Sequence, residues 1–503
     1  MRPEDVSVGA LAVAGSTDRY AARRFSVTRT PDEPITATVA ELREAYNSGR
    51  SQPYAWRAKQ LSQFWKMLVE CQGEFEAALM ADLHKSKFDS FLTEFSLVRA
   101  EIKYFQKHLK RLMKPESRGT TWLTFPGKGF VLRESLGLVL VFGAWNYPVQ
   151  LSLLPMVGAL AAGNCVLLKA PSFTDKVSAA LAKCVPLYLD PACVRVLEGP
   201  REVSEALLKC RWDKIFYTGS TYVGRIVARA AAETLTPVVL ELGGKSPCIV
   251  DKSADLTLAA KRIAFSGFNN SGQLCVRVDH VLVHEQVAPR FMAELKKQIV
   301  AMYSAEPQKS EFFGRIVNRG AWERLARLVA DNRARVVHGG ESDAADLYVA
   351  PTVFDFGPDY EAFTNSTLQA DELFGPLLPC ATFSSLDHAI KHCNSLPTGK
   401  PLGLYGFGTD AAFVDALLRK TTSGGVNIND ASMHVINGKL PFGGVGNSGM
   451  GAYHERYSWD CFTHEKAVLQ KTSWVESLGS CLLDSRFPPY TSFRKRNVKL
   501  LSA

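Results

Sequence analysis

Residues 135–168 read SLGLVLVFGAWNYPVQLSLLPMVGALAAGNCVLL, a stretch without one charged residue and long enough to span a bilayer. Its interior argues for a different structure. Asn146, Tyr147, Pro148, Gln150, Pro155 and Asn164 interrupt the apolar run and divide it into a strand, a turn, a helix and a second strand. Strand, helix and strand in that order form the unit of a parallel sheet covered on both faces, so the stretch predicts an α/β fold and not a membrane span.

The same alternation extends in both directions. Upstream, Val39 to Tyr46, Ala55 to Leu83 and Leu92 to Leu112 place apolar residues at intervals of three and four, which predicts amphipathic helices lying on a sheet. Downstream, Leu136 to Phe142, Cys165 to Leu168, Val194 to Leu197, Lys214 to Tyr217 and Val238 to Leu240 are strand candidates separated by helical stretches, a doubly wound pattern. After Glu241 a second series begins, with Cys248 to Val250, Val278 to Val283, Arg335 to Val337, Tyr348 to Val353, Leu378 to Phe383, Leu404 to Phe407 and Gly425 to Ile428. At 503 residues the chain exceeds what a single core supports, so two α/β domains with a cleft between them are expected. The boundaries read as an extension over 1–34, a first domain over 35–114 and 136–240, a second over 241–450, bridging segments over 115–135 and 451–490, and a basic tail over 491–503.

Composition narrows the function classes. With 46% apolar and 22% charged residues the chain is an ordinary globular one. The net charge of +9, from 59 basic and 50 acidic residues, is spread thinly and accompanies no recognition motif, so no nucleic-acid partner is expected. Eleven cysteines include no CxxC pair, which points to a reducing compartment and gives no metal site. Arg2, Arg19, Arg23, Arg24 and Arg29 precede the first amphipathic helix; the segment reads as a terminal tail or as a mitochondrial transit peptide, leaving a cytoplasmic or mitochondrial location. The stretch from Arg494 to Lys499 is basic but has no apolar anchor, so no stable membrane attachment is expected.

Several short segments carry candidate chemistry. Cys275 ends the polar, glycine-bearing run Phe268-Asn269-Asn270-Ser271-Gly272-Gln273-Leu274, where backbone N–H groups favour a thiolate; a lone cysteine otherwise reads as packing. Glu241 closes the run Val238-Val239-Leu240 and precedes Leu242-Gly243-Gly244-Lys245, whose glycines let backbone approach a ligand; the bland alternative is a solvated strand-end carboxylate. Asn146 is either a turn asparagine or an amide donor to an oxyanion. Gly219-Ser220-Thr221-Tyr222-Val223-Gly224 follows a strand and opens a helix, a setting for a pyrophosphate, although the spacing is not GxGxxG. Glu372-Leu373-Phe374-Gly375-Pro376 pairs a carboxylate able to hold ribose hydroxyls with an aromatic ring.

Taken in order, these pieces resemble the aldehyde dehydrogenases, most closely the class 3 or fatty-aldehyde branch, from about Thr36 to Tyr490. The likeness is carried by Trp145-Asn146-Tyr147-Pro148, Tyr217 to Thr221, Leu235 to Cys248, Ser271 to Cys275 and Leu440 to Gly451. It implies a doubly wound dinucleotide-binding domain, a second α/β catalytic domain and a small oligomerisation arm, as well as a homodimer. It also implies Cys275 as nucleophile, Glu241 as general base and Asn146 as oxyanion donor. NAD or NADP would lie on Lys169, Ser172, Gly219, Ser220, Thr221, Gly224 and Leu242, with Glu372 and Phe374 at the nicotinamide ribose.

Two positions depart from the family pattern. Leu274 stands where threonine usually precedes the nucleophile. Ser172 stands where NAD-preferring relatives carry glutamate; serine there removes the repulsion of a 2′-phosphate and offers it a donor beside Lys169. Tyr147, Phe265 and Leu274 suggest an apolar tunnel for medium or long aliphatic and aromatic aldehydes. The rival readings are transfer of the acyl group to coenzyme A, which needs no hydrolytic base, and a non-catalytic structural protein on the same fold.

Overall fold

The computed structural model describes residues 32–121, 124, 127–471 and 487–502. The arginine-bearing leader up to residue 31 lies outside the described residues, as does 472–486. The uncharged stretch forms the strand Leu138–Phe142, the helix Gln150–Ala161 and the strand Cys165–Lys169, each wholly buried. Among the described residues no helix is long and apolar enough to cross a membrane.

Those two strands lie within a six-stranded sheet. Its spatial order is Gly449–Met450, Val238–Glu241, Lys214–Thr218, Leu138–Phe142, Cys165–Lys169 and Val194–Leu197. All pairings are parallel except that of the first strand, which returns from far along the chain to pair antiparallel with Leu240 and Glu241. Helices Tyr54–Glu70 and Ser96–Leu112 pack on Gln150–Ala161, and Phe64, Phe105, Met156 and Leu140 join one core.

The second sheet has seven strands, in the order Val336–His338, Thr352–Asp355, Leu377–Phe383, His280–His284, Pro247–Val250, Gly403–Phe407 and Gly425–Ile428. Only Val336–His338 is antiparallel to its neighbour. A third, antiparallel sheet joins Glu116–Arg118, Lys128–Ser135 and Thr463–Gln470.

Three expected elements are divided. The helix anticipated over Ala55 to Leu83 breaks at Cys71 (φ −94°, ψ 5°) into Tyr54–Glu70 and Gln72–Leu83. The strand expected over Tyr348 to Val353 splits into Tyr348–Val349 and Thr352–Asp355 around Pro351, which has no N–H for a ladder. The helix expected from Leu92 opens with a π-turn, Phe91–Phe95, before Ser96–Leu112. Periodicity registers none of these breaks, because apolar spacing is nearly the same on either side. The basic tail forms the helix Ser492–Ser502.

Besides the later return of the chain over 429–448, the two parallel sheets are joined by the short connection 242–246. Lys245 in this connection forms a wholly buried ion pair with Asp279, and its ammonium also donates to the carbonyls of Leu368 (2.8 Å) and Asp371 (3.1 Å). The other Asp279 oxygen accepts from Leu373 N–H at 2.9 Å. Arg277 also faces Asp279, at 3.5 Å, but removing Lys245 takes away its nearest cation and two carbonyl contacts. Lys245→Met is therefore expected to cost about 3–5 kcal/mol, read as a lower urea midpoint. Lys297→Met, from an exposed pair with Glu294 at 3.7 Å, is expected to change stability by under ~0.5 kcal/mol.

Candidate active site

The candidate residues leave the C-terminal ends of the parallel strands. Asn146 lies in the turn after Leu138–Phe142, Lys169 ends its own strand, Gly219 follows Lys214–Thr218, and Glu241 ends Val238–Glu241. Strand order reverses between Leu138–Phe142 and Lys214–Thr218, which neighbour each other although two strands separate them in the chain. Such a switch point opens a crevice at the strand ends, where open α/β sheets bind ligands.

Cys275 is held by a loop that sequence reading underrated. Asn270 and Ser271 both adopt φ 52°, and Gly272 follows at φ 69°, three successive left-handed residues. A Cβ on Gly272 would collide with the carbonyl of Gly375. Left-handed backbone is costly for residues other than glycine, so something must hold it. Gln273 does so: its amide nitrogen donates to the carbonyls of Asn270 (3.1 Å) and Arg315 (2.9 Å), and its amide oxygen accepts from Val317 N–H (2.9 Å). The carbonyl of Gln273 accepts from the side-chain amide of Asn146 at 3.1 Å, tying the two candidate residues together.

The electrostatics differ from expectation. Backbone N–H groups of Cys275 and Val276 do face the Cys275 sulfur and favour a thiolate, but burial dominates and, with the charges of Glu372 and Glu241, pushes the thiol well up. The surroundings of Cys275 thus favour the thiol over the thiolate that the polar loop suggested. Glu241 is buried, with neither carboxylate oxygen hydrogen-bonded within the protein, and desolvation raises its pKa well above the ordinary range. It is not the solvated strand-end carboxylate of the bland reading. Its position is fixed through backbone: Gly219 N–H donates to its carbonyl at 3.0 Å, and its strand pairs with Gly449–Met450.

The proposed cofactor residues line the same crevice. Helix Thr221–Ala232 begins beside the strand ends, with Ser220 as its cap accepting from Val223 N–H at 3.3 Å, so backbone donors at the N-terminus can meet a diphosphate. Leu242 packs where a Cβ on Gly224 would lie. Burial lowers Lys169 to about 8. Its ammonium donates to Ser172 Oγ at 2.5 Å, and Ser172 in turn donates to the carbonyl of Gly199 at 3.2 Å. The Ser172 donor expected to face a phosphate is thus already engaged.

Glu198, which sequence reading passed over, is partly buried and close enough to Lys169 for the two charges to act on each other. Glu372 sits against Gly243, where a Cβ would fill the space of its carboxylate, and accepts from Gly244 N–H. Burial, with the charges of Asp279 and Asp371, pushes it up to about 8, and one carboxylate oxygen is buried without a partner. Phe374, at φ 46°, meets Trp145 edge to face at 5.3 Å. The orphaned Glu372 oxygen, the glycine cradle and the open helix start fit a dinucleotide.

Of the three substrate candidates, Tyr147 and Leu274 share an apolar cluster with Ala144 and Leu151, and Tyr147 donates to Asn269 Oδ1 at 3.1 Å. Phe265 lines an open hollow of about 310 Å³ with Leu258, Lys261, Arg262, Met302, Asp430 and Met433. The supports of the site, Gln273, Lys245 and Asp279, have no signature in a single sequence. A buried polar side chain with distant partners looks in the text like any other glutamine, lysine or aspartate.

The family model for the Aldehyde dehydrogenase family matches residues 22–468. Aldehyde dehydrogenase family 3 member B1 of Rattus norvegicus is 41% identical over 464 residues, covering 92% of this chain and 96% of its own. Family 3 member H1 of Arabidopsis thaliana is 40% identical over 469 residues, covering 92% and 94%. The structure titled as the substrate-bound state of Staphylococcus aureus AldH superimposes with a TM-score of 0.89 at 36% identity, over 93% of this chain and 99% of that one. A crystal structure of an indole-3-acetaldehyde dehydrogenase with NAD+ shares the fold at a TM-score of 0.80 and 24% identity, over 89% and 90%.

The electrostatics of Cys275 are directly testable. Because Glu372 and Glu241 add negative charge beside the sulfur, removing either carboxylate stabilises the thiolate. In Glu372→Gln and in Glu241→Gln, the pH profile of iodoacetamide alkylation at Cys275 is expected to move to lower pH. An unmoved profile in both variants would show that burial alone sets the thiol.

Proposed function

Because the chain belongs to the aldehyde dehydrogenase family, we propose that it oxidises aldehydes to carboxylic acids with NAD or NADP through a thioester on Cys275. The Cys275 thiol releases its proton to solvent water and its sulfur attacks the aldehyde carbon, whose carbonyl π pair moves onto oxygen. The Asn146 amide and the Cys275 backbone N–H donate to the oxygen that becomes negative. The nicotinamide, when bound, accepts the hydride that leaves this carbon. Collapse of the oxyanion leaves the acyl group on sulfur. Glu241 then takes a proton from a water that adds to the thioester, the C–S bond breaks, and carboxylic acid and Cys275 are released.

One observation carries this reading: Glu241 is buried with both carboxylate oxygens unbonded, at a strand end beside the cysteine whose thiol its charge raises. A hydrolytic base needs that freedom. Transfer of the acyl group to coenzyme A would leave such a carboxylate without use, and a structural protein would have no reason to bury it unpaired.

In this reading residues 35–114 and 136–240 hold the dinucleotide and 241–450 carry the nucleophile. Residues 115–135 and 451–490 form the arm of a homodimer. Lys169, Ser172, Gly219, Ser220, Thr221, Gly224 and Leu242 hold the adenosine and diphosphate side, and Glu372 and Phe374 the nicotinamide ribose. Tyr147, Phe265 and Leu274 favour medium or long aliphatic and aromatic aldehydes.

In Glu241→Gln the first turnover is expected to persist while steady-state turnover falls by about 10²–10⁴-fold, with an acyl adduct on Cys275 visible by intact mass. Cys275→Ser should retain cofactor binding and lose turnover altogether. Normal steady-state turnover of the glutamine variant without an adduct would assign the water to another base. For the cofactor, residue 172 carries no charge against a 2′-phosphate, so kcat/KM with NADP is expected within about tenfold of that with NAD. A hundredfold preference for NAD would instead assign the guarding charge to Glu198.

A further inference from the structure

Lys85 and Glu94 form a second buried ion pair, and they touch nothing that reacts. Their side chains are 3% and 0% exposed, and Lys85 Nζ lies 2.5 Å from Glu94 Oε1. The same ammonium donates to the backbone carbonyl of Asn146 at 3.1 Å, and it sits 3.9 Å from the centre of the Tyr147 ring. The other Glu94 oxygen accepts from the N–H groups of Val149 (3.1 Å) and Gln150 (2.8 Å), where the helix Gln150–Ala161 begins. The pair therefore grips the turn 146–150 at both ends.

We infer that the Lys85–Glu94 pair is a positioning device for the Asn146 amide, fixing the backbone from which it reaches the oxyanion. This inference rests on the reading of Asn146 as oxyanion donor. Stability is a poor explanation for the pair, because two charges taken fully out of water gain little over well-packed apolar side chains. Geometry is a better one. The Asn146 amide nitrogen is anchored at one point, the carbonyl of Gln273, so its orientation follows the backbone at residue 146.

That backbone carbonyl is held from two sides, by Lys85 and by the Asn270 side-chain amide at 2.9 Å. Asn270 belongs to the left-handed loop that presents Cys275, so donor and nucleophile are indexed to one another through this carbonyl as well as through that of Gln273. Glu94 itself lies in the π-turn Phe91–Phe95. A π-turn inserts a residue into a helix and redirects side chains, a feature common at functional sites. Because the two charges cancel, the pair orients the donor without adding net charge near the sulfur.

A double-mutant cycle on the full chain separates positioning from general damage, with the first-turnover rate, the affinity for NAD and the thermal midpoint measured for each variant. Asn146→Ala alone is expected to slow the first turnover by about 10²-fold. Lys85→Met alone should slow it by roughly tenfold or more while NAD affinity stays within about twofold, and in the Asn146→Ala background it should change the rate by less than about threefold. The same fold loss in both backgrounds would overturn the inference, since the pair would then act elsewhere than through Asn146. A wild-type rate for Asn146→Ala would overturn the reading of Asn146 itself, a distinct result. If Lys85→Met does not fold, Glu94→Gln, which keeps size and an acceptor oxygen, completes the same cycle with the same expected non-additivity.

Discussion

The connection between the two parallel sheets is the constraint on which the site depends. Glu241 is the last residue of one strand and Pro247 the first of the next, so residues 242–246 must carry the chain from one core to the other. Both ends of this short span are fixed. The Glu241 carbonyl accepts from Gly219, Leu242 N–H donates to the carbonyl of Ser448, and Lys245 is locked to Asp279. With so few residues between them, fixing the ends fixes the backbone that carries Glu241, and Gly243 is left as the floor under Glu372. In the proposed mechanism a longer connection would let that backbone, and the base on it, drift.

Burial then sets the chemistry. Glu241 is buried and Cys275 and Glu372 are half-buried, and desolvation is the largest influence on each of them. The carboxylates of Glu372 and Glu241 raise the Cys275 thiol further, whereas Glu241 itself is raised by desolvation. Proton loss from Cys275 is thereby coupled to the state of its two acidic neighbours. The polar supports nearby behave differently. Lys245 with Asp279, Lys85 with Glu94, and Gln273 with its carbonyl and N–H partners are bonded on several sides and hold backbone in place. Glu241, by contrast, has neither carboxylate oxygen hydrogen-bonded.

The strand and helix pattern was legible because it is a local property. Apolar runs such as Leu138–Phe142, Cys165–Lys169 and Val194–Leu197 are covered on both faces, and nothing but a parallel sheet uses them in that order with helices between. Cys275, Glu241 and Asn146 were legible for a related reason: each stands in a short run whose glycines and polar residues make no sense in a core. The break at Cys71 and the π-turn at Phe91–Phe95 were not legible, because apolar spacing is nearly the same on either side of each, whereas the split at Pro351 follows from a proline that the strand pattern alone does not weigh.

The sequence by itself therefore determined the α/β class, the family resemblance and the identity of the candidate nucleophile, base and oxyanion donor, since all of these are written in contiguous residues. Tertiary structure alone decided their electrical state and their aim. The raised thiol of Cys275, the unpaired burial of Glu241 and the engagement of Ser172 by Lys169 and Gly199 depend on depth and on partners across the fold. So does the bridge from Lys85 and Glu94 to the turn that bears Asn146. A pKa or a hydrogen bond between residues 61 apart follows from distance and dielectric in three dimensions, which the order of residues does not contain.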